Sequence, residues 1–368
     1  MKTTSANLNH SDNSFVFLRV IAAWAVLYSH SYALVGLPEP QPIAGQSFGS
    51  LAVALFFAIS GFLVCQSWNR DPSIIRFAAR RILRIMPGLF TVILFTVFII
   101  GPVFSVLPAT EYIAEPRTLS YIPSTLLLLS VPTLPGLFET NPYPNSNNGS
   151  LWTLRYEVLM YACLAIVGNF IPRTKLKAAC IALFVSFAAF LAVLVINELT
   201  PFQIPYIWRL STQFYSERIG FLGAFFFAGC CAYLFLARIP LSLTLALALI
   251  VVTALIPNKN LAMSILWLVI PYTAISFAYR APRIFHRING YDYSYGIYIY
   301  AFPIQQVVAH LISNPKENWL TCLVVSTIAT IFFACLSWHF IEKPALGLKK
   351  RLIRRPPIIS TIQSSRAS

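Results

Sequence analysis

Two ionisable residues, Arg19 and His30, stand inside the first long apolar run of the 368-residue chain, eleven positions apart. At about 100° per residue, eleven steps return to within roughly 20° of the starting direction, so both residues share one helix face. At about 1.5 Å per residue they lie roughly 16 Å apart along it. Ionisable side chains inside a membrane span are costly and mark functional sites by default. A guanidinium near one end of a face and an imidazole towards the other suit a cavity that crosses most of a bilayer. The imidazole can serve there as general base or as nucleophile. Taken singly, Arg19 can be read as snorkelling to headgroups and His30 as a helix–helix hydrogen bond; the shared face favours the cavity.

A second group follows in "RFAARRILRIMP", where Arg76, Arg80 and Arg84 repeat at i, i+4 and i+8, with Arg81 beside them. Together with Arg70 this makes five arginines and no lysine before the next apolar run. A planar fork of donors suits bidentate phosphate recognition, of lipid headgroups or of a phosphorylated cosubstrate; plain orienting charge is the simpler alternative. A third candidate is Glu157 in "GSLWTLRYEVLMY", about one turn into a later apolar run. A carboxylate at that depth needs a partner. His30, expected at similar depth, is one, and a carboxylate on one ring nitrogen sets the tautomer and raises the basicity; a local pair with Arg155 in an aromatic belt is the other. Asp292 opens "YDYSYGIYIYAFP", and "FIEKP" closes the last apolar run. The seven cysteines lie within apolar runs with no CxxC or Cys/His spacing, which gives no metal site. Asn148-Gly149-Ser150 has the form of a glycosylation sequon, a pattern common by chance.

These residues have to be positioned by membrane spans. The chain is 57% hydrophobic and 11% charged, with mean hydropathy +0.70. Soluble domains carry about 25% charged residues. The apolar residues come in runs of about 20, the length that crosses a bilayer, so a soluble enzyme, a disordered chain and a secreted disulfide scaffold are excluded. The expected fold class is all-α: a polytopic integral membrane protein of about ten transmembrane helices, near 15–37, 48–67, 86–107, 151–171, 178–197, 217–237, 240–256, 261–279, 291–312 and 319–340. The first run, interrupted by Arg19 and His30, reads as a retained span rather than a signal peptide.

The net charge of +15 is spread over the short connections and forms no basic–aromatic module, so it points to membrane orientation and not to nucleic acid. With both termini cytoplasmic, 20 Lys and Arg fall on the inner segments and 6 on the outer ones. This divides the chain into a cytoplasmic segment 1–14, a membrane domain 15–344 and a basic cytoplasmic tail 345–368, expected to be disordered or surface-bound. The long connection 108–150, interrupted by prolines, is expected outside as a re-entrant, interfacial or lid segment. No extramembrane segment is large enough for a catalytic domain, so any chemistry takes place at the membrane.

The motifs together resemble the integral-membrane acyltransferase-3 family, bacterial O-acyltransferases that include acetylases of surface polysaccharides. "FLRVIAAWAVLYSHSY" resembles its first span, with Arg19 and His30 at the Arg-x10-His spacing. "LFFAISGFLV" resembles the second, placing Ser60 and Gly61. "FAARRILRIMP" resembles the arginine-rich inner loop, with Arg81 and Arg84 as its RxxR pair. "GSLWTLRYEVLMY" places Trp152 and Glu157, and "DYSYGIYIYAFPIQQ" and "FIEKP" resemble the later motifs. Ala301 stands where many members have His. The matches run from about 15 to 344.

The resemblance implies a bacterial, multi-pass inner-membrane enzyme with no tightly bound cofactor. It implies acyl-CoA as cosubstrate, acetyl foremost, and a glycan hydroxyl as acceptor. On it, Arg76, Arg80, Arg81 and Arg84 would receive the donor's phosphates and the pantetheine arm would pass Arg19. His30 would act as general base or transient acyl carrier, and Glu157 would orient it or touch the acceptor. A transporter or flippase of glycan precursors explains ten spans and intramembrane charge equally well, but not an arginine-rich inner segment joined to a same-face Arg/His pair.

Overall fold

The computed structural model describes residues 13–199 and 216–352. The N-terminal residues 1–12, the stretch 200–215 and the tail from 353 onward lie outside the described residues, and with them Lys2, Arg209 and the last basic residues of the charge tally. The described regular structure is helical, and no strand occurs in it. Helices stand at all ten expected positions: α1 (Phe15–Ala33), α2 (Phe48–Arg70), α3 (Ile74–Phe95), α7 (Leu154–Phe170), α8 (Leu176–Leu199), α9 (Ser216–Leu234), α10 (Leu243–Ala254), α11 (Lys259–Arg280), α12 (Ser294–Leu311) and α13 (Trp319–Ser337). The protein is an all-α polytopic membrane protein. Among the described residues, six helical segments are long and apolar enough to cross a membrane: Phe15–Ala33, Phe48–Arg70, Ile74–Phe104, Gly149–Phe170, Lys259–Arg280 and Trp319–Leu348.

Two expectations are corrected. The arginine run, read as a helical stripe, is not separate from the span expected at 86–107. It makes the first turns of α3, which runs on through a π turn (Thr96–Ile100) into α4 (Gly101–Phe104). The helix begins early because its first turns are amphipathic: Phe77 and Ile85 are buried while Ile75 and Ile82 face outward between the arginines. Similarly, the segment after 341 opens as a helix. A π turn at Trp338–Glu342 carries α13 into α14 (Lys343–Leu352), which packs on α3.

Close helix contact follows small residues. A Cβ on Gly61 of α2 would lie 1.9 Å from the Phe226 carbonyl oxygen of α9, and one on Gly229 would lie 2.0 Å from that of Ala58. The α2–α9 crossing therefore depends on missing side chains, as in other membrane bundles. At the centre stands α12, buried on nearly every side. This explains how it carries tyrosines and two glutamines at membrane depth.

The connection 105–148 folds as α5 (Ala109–Ala114), α6 (Pro116–Leu126) and an ordered loop clamped to α12. Pro303 has no N–H, which leaves the Ile299 carbonyl without its helical partner; the Asn148 amide donates to it at 2.8 Å. Gln306 donates to the carbonyls of Tyr143 and Ser146, and Asn141 donates to the Gln306 carbonyl. Asn148 is 2% exposed, so its sequon-like context has a packing role. The connection is a fixed cap over one end of the bundle.

Candidate functional site

The expected site residues meet inside the bundle, but in two chambers. One, about 120 Å³, lies towards the arginine-rich end and is lined by Arg19 of α1, Ser60 of α2, Arg81 and Arg84 of α3, Glu157 and Tyr161 of α7, and Tyr295 and Tyr298 of α12. The other, about 150 Å³, lies towards the opposite end and is lined by His30, Glu39, Ser47, Ser50, Trp152 and Tyr298. Val53 and Tyr298 line both, so they form the wall between them. The Tyr298 hydroxyl shares a hydrogen bond with Thr153 Oγ1 (2.7 Å) and donates to the Ser150 carbonyl (2.8 Å), which holds the ring in place. The expected face of α1 holds: Arg19 opens onto the first chamber and His30 onto the second.

The four arginines of α3 do different work. Arg76 and Arg80 turn back to Asp71 in the α2–α3 turn. Arg76 Nη2 reaches Oδ1 at 2.6 Å and Arg80 Nη1 reaches Oδ2 at 2.7 Å. Arg76, then Arg80, holds the Asp71 carboxyl well below the usual carboxylate range. These two lock the turn, and neither lines the chamber where phosphate binding was expected. Arg84 points inward and bridges Asp292 Oδ2 (2.8 Å) and Glu342 Oε2 (3.5 Å). Arg19 also contacts Asp292. Gly88 admits the Tyr295 ring, whose hydroxyl donates to the Ile85 carbonyl at 2.8 Å. Arg81 has no acidic partner among the described residues. It lies 5.6 Å from the Tyr161 ring centroid and 5.9 Å from that of Phe77, and its Nε is buried and unpaired. Of the four, it is the fork left open to a ligand.

Glu157 does not hold His30, contrary to expectation. It accepts from the Tyr161 hydroxyl and, at 3.4 Å, from Ser60 Oγ, which itself sits 2.9 Å from the Tyr161 hydroxyl. This triad lines the arginine chamber; His30 lies beyond the wall. The carboxylate that shares a chamber with His30 is Glu39. Glu39 lies outside every periodic pattern, on the α1–α2 connection, and the sequence reading missed it. Asp292 and Glu342 were visible only as ends of motifs. The available signal was rarity: the chain has 12 acidic residues, so each one beside a span end carries information.

Within the helical membrane bundle, a chamber lined by arginines thus backs onto one lined by an imidazole and a carboxylate. Comparison with known proteins gives the class. The acyltransferase domain model of the acyltransferase-3 family matches residues 12–339. The chain is 30% identical over 342 residues to an O-acetyl transferase of Shigella phage Sf6, covering 91% of this chain and 96% of that protein. It is 26% identical over 370 aligned positions to nodulation protein 10 of Rhizobium leguminosarum bv. viciae, covering 93% and 95%. No solved structure matches it. The chain belongs to the acyltransferase-3 family and is a multi-pass membrane acyltransferase.

Proposed function

We propose that the protein moves an acyl group, acetyl foremost, from cytoplasmic acyl-CoA to a hydroxyl of a cell-surface or lipid-linked glycan at the bacterial inner membrane. The observation that carries this reading is the pair of chambers back to back across Val53 and Tyr298, one with Arg81 open and the other with His30. The donor's phosphates bind Arg81; Arg84 and Arg19, paired with Asp292 and Glu342, hold fixed positions beside it. The thioester arm has to pass between Val53 and Tyr298 to meet the acceptor hydroxyl, which enters the His30 chamber. His30 takes the hydroxyl proton as the oxygen attacks the thioester carbonyl carbon. The carbon–sulfur bond breaks, and the imidazolium returns the proton to the thiolate, leaving free CoA thiol and an ester. Glu157, tied to Ser60 and Tyr161, shapes the donor side. Family membership sets aside the transporter reading, which has no covalent step.

The test is thiol release from acetyl-CoA by purified protein with a chemically de-O-acetylated surface polysaccharide of the producing bacterium as acceptor. Release should require both protein and polysaccharide. His30→Gln should lower turnover by about 10²- to 10⁴-fold, the usual size of general-base catalysis, at unchanged membrane expression. A variant that keeps more than about a tenth of wild-type turnover lies below that range and removes His30 from the chemistry.

A further inference from the structure

The chamber around His30 contains a carboxylate whose place is set by two helices. Glu39 lines the cavity together with His30. It accepts a hydrogen bond from Ser29 Oγ, and Ser29 is fully buried. Gly49, at the start of α2, approaches so closely that a Cβ there would lie 3.0 Å from Ser29 Oγ. Ser29 is next to His30 on α1, so the acid is tied to the same turn that carries the base. The ring packs edge-on against Phe302, 5.3 Å between centroids, and its Nδ1 is buried with no hydrogen-bond partner. A base in this enclosure becomes a buried cation the moment it accepts a proton, and an unpaired buried charge is expensive. Glu157 is committed on the other side of the wall.

We infer that Glu39 is the positioning residue for His30: its carboxylate stabilises the imidazolium formed when His30 takes the acceptor's proton. The inference rests on His30 acting as the base proposed above. The proton passes from hydroxyl oxygen to imidazole to thiolate sulfur, and the carboxylate takes no part in that transfer. Its charge lowers the barrier by favouring the state in which the imidazole is protonated.

The experiment compares Glu39→Gln, Glu39→Asp and His30→Gln in purified protein, with acetyl-CoA as donor and the de-O-acetylated polysaccharide as acceptor. Expected is a fall in kcat of about 10- to 100-fold for Glu39→Gln, within the full general-base contribution, with the KM for acetyl-CoA unchanged. Glu39→Asp, which keeps the charge, should recover most of the activity. If Glu39→Gln stays within about threefold of wild type while His30→Gln is inactive, the role of Glu39 falls and that of His30 stands. If His30→Gln is active, both fall. If Glu39→Gln raises the acetyl-CoA KM or lowers the thermal midpoint, and Glu39→Asp recovers nothing, Glu39 is a structural residue and the inference is overturned.

Discussion

Arg81 and Arg84 lie three positions apart on α3 and line the same chamber, yet their removal should be read out differently. Arg84 stands between Asp292 and Glu342, whose side chains are 10% and 2% exposed. Arg84→Ala leaves carboxylates buried with a countercharge missing, and breaking a buried pair in this way costs about 3–5 kcal/mol. The expected result is a large drop in thermal midpoint in detergent. Arg81 rests on two aromatic rings, contacts of about 0.5–1 kcal/mol at partly exposed sites. Arg81→Ala should therefore keep the midpoint near wild type and lose acetyl-CoA affinity, measured by calorimetric titration. Arg81→Lys should recover little of that affinity, because the ammonium lacks the bidentate fork. Normal acetyl-CoA binding by Arg81→Ala would leave the proposed donor site without its main contact. The spacing set Arg76, Arg80 and Arg84 on one face with Arg81 beside them, and the resemblance paired Arg81 with Arg84; their partners decide their separate roles.

At the scale of helices, α12 is interrupted by Pro303 and repaired from outside. Because the Asn148 amide occupies the Ile299 carbonyl, Asn148→Ala should destabilise by about 1–3 kcal/mol, the range for an unsatisfied buried acceptor. Pro303→Ala restores an N–H four residues on, so the same Asn148 change should cost clearly less in that background. The measurement is a double-mutant cycle of thermal or denaturant unfolding; strict additivity would show that the two residues are not linked. The α2–α9 crossing is a second such case. Gly229→Ala places a Cβ against the Ala58 carbonyl, an overpacking typically worth about 1–3 kcal/mol. It should also cut activity, since Ser60 rides on the displaced helix. The α2–α3 turn behaves differently. A carboxyl held low contributes stability above its unfolded pKa, near 3.9, and loses it only as pH falls through the lowered folded value. The penalty of Asp71→Asn on the thermal midpoint should therefore be the same at pH 5 and pH 8; a penalty that appears only at the higher pH would contradict the clamp.

For the whole molecule, the proposed reaction requires the arginine-rich end to face the cytoplasm, where acyl-CoA is made available. With the seven native cysteines replaced by alanine, Lys316→Cys in the α12–α13 turn should react with a membrane-impermeant maleimide on intact cells. Pro72→Cys in the α2–α3 turn should react only after permeabilisation. The opposite pattern would invert the protein and place the arginine chamber on the wrong side for the donor. The two turns lie at opposite ends of the bundle: Asp292, just before α12, meets Arg84 of α3 at the arginine-rich end, and α12 runs from there to the α12–α13 turn.

Membrane residence, helical class, the approximate places of the apolar helices and the shared face of Arg19 and His30 were legible in the sequence. They follow from local quantities: the length of an apolar run, the cost of a charge within it, and a fixed rotation per residue. The start of α3 at Ile74 was obscured because arginines at its surface lower the hydropathy that marks a span, while its buried face still packs. Tertiary structure alone decided which charges meet. Arg84 finds Asp292 and Glu342 from far along the chain, Glu157 turns to Ser60 and Tyr161, and the Val53–Tyr298 wall parts it from His30. Glu39 enters from a connection with no period to read. Such choices depend on how helices cross, and the crossing is set by where glycine leaves room for a neighbouring backbone, a relation between segments that no single segment contains.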